Sequence, residues 1–512
     1  MRDTEVLIVG AGPTGLVLAL LLTRLGVRVR IVDKTAHPGT TSRALAVHAR
    51  TLEWYRQIAL ADDIVARGRK MSSISLWASG RRVAHATLGD IGAGISPFPY
   101  VLIFPQDEHE RLLIDHLHEA GVDVERETEV IGFEEVPGCV RARLQRGEGA
   151  SETCEAAYIA GCDGAHSVVR QTLAIGFPGG TYEHLFYVAD VDARGPVMNG
   201  ELHAALDETD FLAVFPLKEE GRARLVGIVR AVAEDRNQEL SWDDVSTRVM
   251  RWMRIEVDRV HWFSTYRVHH RVADEFRRGR AFLLGDAAHI HSPVGGQGMN
   301  TGIGDAVNLA WKLAAVLRNR AEASVLDTYE PERIAFARRL VATTDRAFAA
   351  VTSDDWLSRR LRLNVVPLLL PLAFRFRITR RFMFRTVSQT AVNYRGSSIS
   401  EGRAGAVHGG DRLPWVASAL NGSDNFAPLT SLDWQVHVYG DATREMQAVC
   451  KERSLPLHVF HWREECRRAG LQRDAIYLVR PDGYIGLVEK HDGAGALRSY
   501  LDAHRLMFAR ED

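Results

Sequence analysis

The loop Gly10-Ala11-Gly12-Pro13-Thr14-Gly15 constrains this chain more than any other stretch. Residues 5–9 before it read as a buried strand. Residues 16–25 after it read as a helix ended by Gly26, and residues 27–32 form a second strand with Asp33 at its end. The first glycine permits a tight turn. The second lets backbone approach a pyrophosphate, and the third allows close helix–strand packing. Asp33 can accept hydrogen bonds from both hydroxyls of an adenosine ribose. Strand, loop, helix, strand and acid in this order point to a dinucleotide, without deciding between NAD and FAD.

Two further segments repeat the pattern of a strand running into a polar turn. Residues 281–284 are an apolar run. Gly285-Asp286 follows, then a loop with Pro293, Gly295, Gly296 and Gly298. A helix is expected from near Gly302, with Ala306, Ala310, Leu313, Ala314 and Leu317 on one face. An acid at a strand end suits a sugar hydroxyl, and glycine amides at a helix N-terminus suit an anion. The other segment is residues 158–161, then Cys162-Asp163-Gly164-Ala165-His166-Ser167, with Val168-Val169-Arg170 opening a helix.

Together the three segments resemble the single-component FAD-dependent aromatic hydroxylases, the flavoprotein monooxygenases that include para-hydroxybenzoate and phenol hydroxylases. The likeness covers roughly residues 1–400. It is closer to members acting on phenols and polyketide aromatics, which carry runs like Ser42-Arg43-Ala44, Arg50-Thr51-Leu52-Glu53 and Thr328-Tyr329-Glu330-Pro331-Glu332-Arg333. Many relatives have Glu where this chain has Asp33.

The resemblance implies an α/β fold: a Rossmann-like, glutathione reductase-type FAD lobe, an inserted β-sheet substrate domain, and a C-terminal thioredoxin-like domain. It implies FAD as cofactor, NAD(P)H as transient co-substrate, and O₂ activated as a flavin C4a-hydroperoxide that hydroxylates a phenolic or polycyclic ring. The cofactor-binding positions carried over are Gly10, Gly12, Pro13, Thr14, Gly15, Asp33, Lys34, Arg43, Gln106, Asp163, Gly285, Asp286, Pro293, Gly296, Gly298, Met299 and Asn300. Arg43, near the isoalloxazine, and Pro293, bordering the oxygen-reaction face, are the catalytic candidates. Gln106 and Asp286 are expected on the ribityl chain, and Asp163 on the turn beside the FAD and NAD(P)H path. Other readings stay open: Baeyer–Villiger oxygenation or epoxidation on the same fold, an NAD-dependent dehydrogenase, or a non-catalytic dinucleotide-binding protein. The Trp-x-Trp-x-x-Ile motif of halogenases is missing.

The 512 residues allow two or three domains. The first FAD part is expected at residues 1–180 and the substrate sheet at 181–275. The second FAD part with its helices follows at 276–395, and the thioredoxin-like domain at 405–512. Residues 396–410 read as a linker, so the tail after it is expected to be separable. It has no CxxC, and its role is expected to be packing or subunit contact. A net charge of −1 favours neither nucleic acid nor an anionic membrane. No secretory signal and no apolar run near the ~20 residues of a span are visible, and five cysteines without metal spacing suit a reducing cytoplasm. His289 and His291 have no third ligand, so no metal is expected. Association as a homodimer is left open. Tyr187, His203 and Tyr266 are candidates for a substrate-touching base, though a structural role is expected for each.

Overall fold

Small and β-branched runs bury both faces of a parallel sheet, as helix-covered sheets require. Thr4–Val9 sits at its centre, paired in parallel with Val29–Val32 on one side and Ser151–Gly161 on the other. Ala281–Leu283 extends the sheet beyond Ser151–Gly161, and Val124–Glu125 beyond Val29–Val32. The computed structural model describes residues 3–39, 44–78, 80–147, 149, 151–206, 211–229, 240–245, 247–292, 294–352, 376–417, 424–490 and 493–508. Register brings Val9, Val32, Gly161 and Leu283 to one level. The chain therefore leaves four neighbouring strands at one edge of the sheet, where open α/β sheets bind ligands. The helices Pro13–Arg24 and Gly298–Leu317 pack against each other over this edge. The second starts four residues earlier than its apolar periodicity indicated, because its first turn, Gly298-Met299-Asn300-Thr301, does not follow that periodicity.

A second sheet of eight strands runs in the order His289–Ile290, Glu256–Val272, Gly179–Arg194, Arg222–Val229, Phe211–Pro216, Leu202–Leu206, Ser73–Ala78, Arg81–Thr87. Its last two strands come from within residues 1–180, expected wholly in the first FAD part. A chain segment can leave one sheet and complete the edge of another. Their alternating polar and apolar residues suit a half-covered edge pair.

The C-terminal sheet contains Gln435–Tyr439, the helix Arg444–Glu452, Leu457–Phe460, and the antiparallel pair Ile476–Val479 and Ile485–Glu489. The order is βαβ followed by a hairpin. Residues 396–410 are not a linker. Glu401–Ala404 pairs in parallel with Ile485–Glu489 and in turn with Val407–His408, so this stretch is the sheet's edge.

The tail, expected to be separable, is fastened to the rest of the chain by buried ion pairs. Glu332, buried in the helix Tyr329–Thr352, takes both terminal guanidinium nitrogens of Arg480 at 2.8 and 3.0 Å and the ammonium of Lys312 at 2.8 Å. Arg480 also pairs with Asp482 at 2.6 Å. The Asp482 carbonyl accepts from Arg50 and from the Trp54 indole, at 2.8 and 3.0 Å. Arg412 pairs with Glu53 at 2.5 Å. Among the described residues, no helix is long and apolar enough to cross a membrane.

Candidate functional site

The four strand ends build one cradle. At the first, Gly10 has φ +100°, and a Cβ there would press on the Cys162 carbonyl. A Cβ at Gly15 would collide with the Gly10 carbonyl oxygen, while one at Gly12 would meet nothing within 4 Å. Gly12 thus faces open space at a helix N-terminus that has Pro13 in its first turn and no side-chain cap. Uncapped amides beside open space fit a pyrophosphate. Thr14 fills the space beside Gly285 and Gly302, which can have no side chain there.

Asp33 is already oriented. One carboxylate oxygen accepts the Ala11 amide at 2.7 Å, and the other accepts the Thr35 amide and hydroxyl at 2.8 and 2.6 Å. Arg126 stands 3.7 Å from it, a cation beside this strand end that no sequence motif marked. Lys34 is exposed next to it.

Gln106 opens the helix Gln106–Glu119. Its side-chain oxygen accepts the Ala44 amide at 3.3 Å, and its amide group donates to Glu110 at 2.8 Å. Glu110 accepts the Gly39 amide at 3.2 Å, and burial pushes its carboxyl above the usual range. Glu110 was missed, although its i+4 spacing from Gln106 was readable. Asp163 caps the helix Val168–Thr172 through the amides of Val168 and Val169, at 2.7 and 3.2 Å. Burial raises its carboxyl against those bonds.

Asp286 projects, exposed, from the single turn Gly285–Ala287 at the end of Ala281–Leu283. Below it lies an acid that sequence reading did not single out. Asp305 is fully buried and accepts the Gly285 amide at 2.9 Å, His289 at 2.8 Å and Arg333 at 2.6 Å. Burial alone would raise its carboxyl, but Arg333 and His289 hold it below the usual range.

The glycine loop reaches the helix head through Asn300. Its amide group donates to the carbonyls of Ala46 and Gly296, at 2.8 and 2.9 Å. Its oxygen accepts from the His48 amide and the Thr51 hydroxyl, at 2.9 and 2.8 Å. The Asn300 side chain is therefore committed to the loop, which leaves its backbone amide for a ligand. Gly298, Met299 and Asn300 occupy the first turn, whose amides have no helical acceptor. A Cβ at Gly296 would lie 2.8 Å from that of Ala46. His48 accompanies this loop, its ring nitrogen 3.0 Å from the Gly295 carbonyl, and burial lowers its pKa to about 4. Arg43 and Pro293 lie outside the described residues.

The second sheet turns one face to this cradle. Leu202 and Phe215 on that face pack with Leu45, Met71 and Ile103 beside the loop at Ala46. Residues paired across strands share a face. Phe186, Ile228 and Tyr266 are paired in this way and cluster with Phe211. Tyr266 and Phe211 stay partly exposed. Tyr187 points the other way, stacked on Phe263 in a cluster with Val245 and Met250. His203 shares that far face, bonded to Trp77 and Asn199 at 3.0 and 2.9 Å. Of the three candidates for a substrate-touching base, Tyr266 alone stands on the near face. Tyr187 and His203 are core residues, and burial lowers His203 to about 4.

A family model described as an FAD binding domain matches residues 3–344. The chain is 32% identical to a 6-methylpretetramide 4-monooxygenase of Streptomyces rimosus, over 98% of this chain and 94% of that one. It is 33% identical to a flavin-dependent monooxygenase of Mycobacteroides abscessus, over 94% and 96%. The structure of the anhydrotetracycline hydroxylase OxyS from Streptomyces rimosus superposes with a TM-score of 0.77 at 29% identity, covering 98% of this chain and 99% of that one. These matches, with the cradle at the sheet edge, place the chain in the family of FAD-dependent aromatic monooxygenases.

Proposed function

We propose that this enzyme uses NAD(P)H and O₂ to hydroxylate a polycyclic phenolic ring. The observation that carries the substrate class is the partly exposed aromatic face of Phe211, Phe215 and Tyr266 set opposite the cofactor cradle. Two of the relatives above are named for 6-methylpretetramide and anhydrotetracycline. In balance, one ring C–H becomes C–OH. NAD(P)H supplies two electrons, and the second oxygen atom leaves as water.

Bound FAD supplies the flavin that takes up those electrons and activates O₂. The chain's own groups bind and exclude. The amide at Gly12 faces the pyrophosphate, Asp33 the ribose, Gln106 and Asp286 the ribityl chain. The amides of Gly298, Met299 and Asn300 offset negative charge on the flavin's pyrimidine edge. By family resemblance, Arg43 contacts the isoalloxazine and Pro293 borders the oxygen face. The apolar side chains of the sheet face, Phe186, Phe211 and Ile228, keep water from the reacting atoms, where it would otherwise release peroxide. The proposed setting is the cytoplasm, where the five free thiols would stay reduced.

The purified protein should be yellow, and denaturation should release intact FAD. A screen of phenolic tetracycles and simple phenols, following NAD(P)H oxidation with mass detection of an added oxygen, tests the reaction. A flavin-loaded protein that yields no oxygenated product with any ring would overturn it. Asp286→Ala should weaken FAD binding by about 1.5–3 kcal/mol, the worth of a charge-assisted hydrogen bond. Residual flavin after dialysis decides this, and retention equal to the parent's would remove Asp286 from the site.

A further inference from the structure

The C-terminal domain has two cysteines, Cys450 and Cys466, and no CxxC. Its hairpin nevertheless reaches the cofactor turn through four consecutive contacts. The Tyr484 ring packs on Tyr394 with centroids 4.2 Å apart. The Tyr394 hydroxyl accepts from Arg333 at 2.9 Å. Arg333 donates to Asp305 at 2.6 Å and to the Thr301 carbonyl at 3.0 Å. Asp305 accepts the Gly285 amide at 2.9 Å. All four side chains are buried: Tyr484 1%, Tyr394 3%, Arg333 2% and Asp305 0% exposed.

Gly285 has φ +57°, a conformation open to glycine, and the position of its amide is fixed by Asp305. Arg333 ties the same carboxylate to Thr301, in the first turns of the helix whose head carries the Gly298–Asn300 amides. Two parts of the cradle, the Asp286 turn and the helix head, are thus braced by one guanidinium. That guanidinium is in turn seated by Tyr394 against the C-terminal hairpin.

We propose that the C-terminal domain is a buttress of the flavin site, with Asp305, Arg333 and Tyr394 as its positioning residues. They touch no cofactor themselves. They set the spacing between the turn presenting Asp286 and the amides facing the flavin ring. This rests on the FAD site described above. A parent protein that holds no flavin would sink that site, whereas the variants below decide the buttress alone.

Tyr394→Phe removes one hydroxyl and keeps the ring stack. In the full-length holoenzyme it should raise the FAD dissociation constant about tenfold, as for one lost hydrogen bond to a charged donor. It should also change the circular dichroism of the bound flavin's visible bands. Tyr484→Leu, which removes the ring behind Tyr394, should weaken FAD binding in the same direction. Tyr439→Phe is the control. It removes an equally buried hydroxyl of the C-terminal domain, bonded to Asn425 at 2.6 Å, and should leave FAD affinity and flavin dichroism as in the parent. Parent-like FAD binding in Tyr394→Phe overturns the proposal. So does parent-like binding in Tyr484→Leu, which would leave the C-terminal domain out of the chain. Equal weakening in Tyr439→Phe overturns it too, by showing that any loss of stability has the same effect.

Discussion

Arg480→Met should cost about 3–5 kcal/mol of folding stability, read as an earlier midpoint in urea at unchanged slope. Arg480 is fully buried between two carboxylates, Glu332 and Asp482. Removing it leaves Glu332 with Lys312 alone and Asp482 without a cation. Total stabilities of about 5–15 kcal/mol make this a large fraction. The second arm is Arg480→Met with Asp482→Asn, which removes the carboxylate left without a cation and should recover part of the loss. A double variant less stable than the single one would refute the pairing. Deleting the chain from residue 405 should be worse still. It strands Glu332 and also strips Glu53 of Arg412, so flavin-binding soluble protein is not expected. The same carboxylates predict acid sensitivity. Burial would raise Glu332, but Arg480 and Lys312 more than offset it and hold it well below the usual range. Glu53 is lowered by Arg412 and Arg50 against the same opposing burial. A lowered carboxylate contributes stability above its unfolded pKa, about 4.3, and loses it as pH falls further. Denaturation midpoints should therefore hold near neutrality and drop below about pH 4.

Gly15→Ala should abolish FAD binding by damaging the lobe itself. Its Cβ would be driven into the Gly10 carbonyl oxygen, with the Cys162 Cβ at 3.3 Å on another side. A backbone carbonyl cannot rotate away as a side chain can. The cost should reach or exceed the top of the ~1–3 kcal/mol usual for overpacking. Gly12→Ala is the informative contrast. A Cβ there meets no protein atom within 4 Å, so the apoprotein should keep its melting temperature. The methyl would stand where the pyrophosphate must approach, and flavin content should still fall. If both variants lose flavin with melting temperatures equal to the parent's, the packing role of Gly15 is wrong.

The glycine loops and strand-end acids were legible because each depends on neighbours within a few residues. Gly10 through Asp33 is one local unit, and so is Gly285-Asp286. Asp305 and Arg480 left no such trace, and the run Thr328–Arg333 marked Arg333 without its partner. Each is a charge in an apolar setting, and its partner lies in another element with no fixed spacing. The facing of Tyr187 and Tyr266 was equally hidden, since it depends on strand register, and one residue reverses it. The linker at residues 396–410 was misread because its glycines and polar residues suit an edge strand as well as a loop.

The order of the strands has a consequence for biosynthesis. The first strand made, Thr4–Val9, sits between Val29–Val32 and a strand from residues 151–161, and Ala281–Leu283 follows beyond. The ion pairs that fasten the site come last, at Arg480 and Asp482. A nascent chain leaving the ribosome thus exposes its phosphate loop long before anything can close over it. Flavin capture is therefore expected only once the segment carrying Arg480 and Asp482 has been made, and protein made faster than the cell supplies flavin would accumulate as empty apoenzyme.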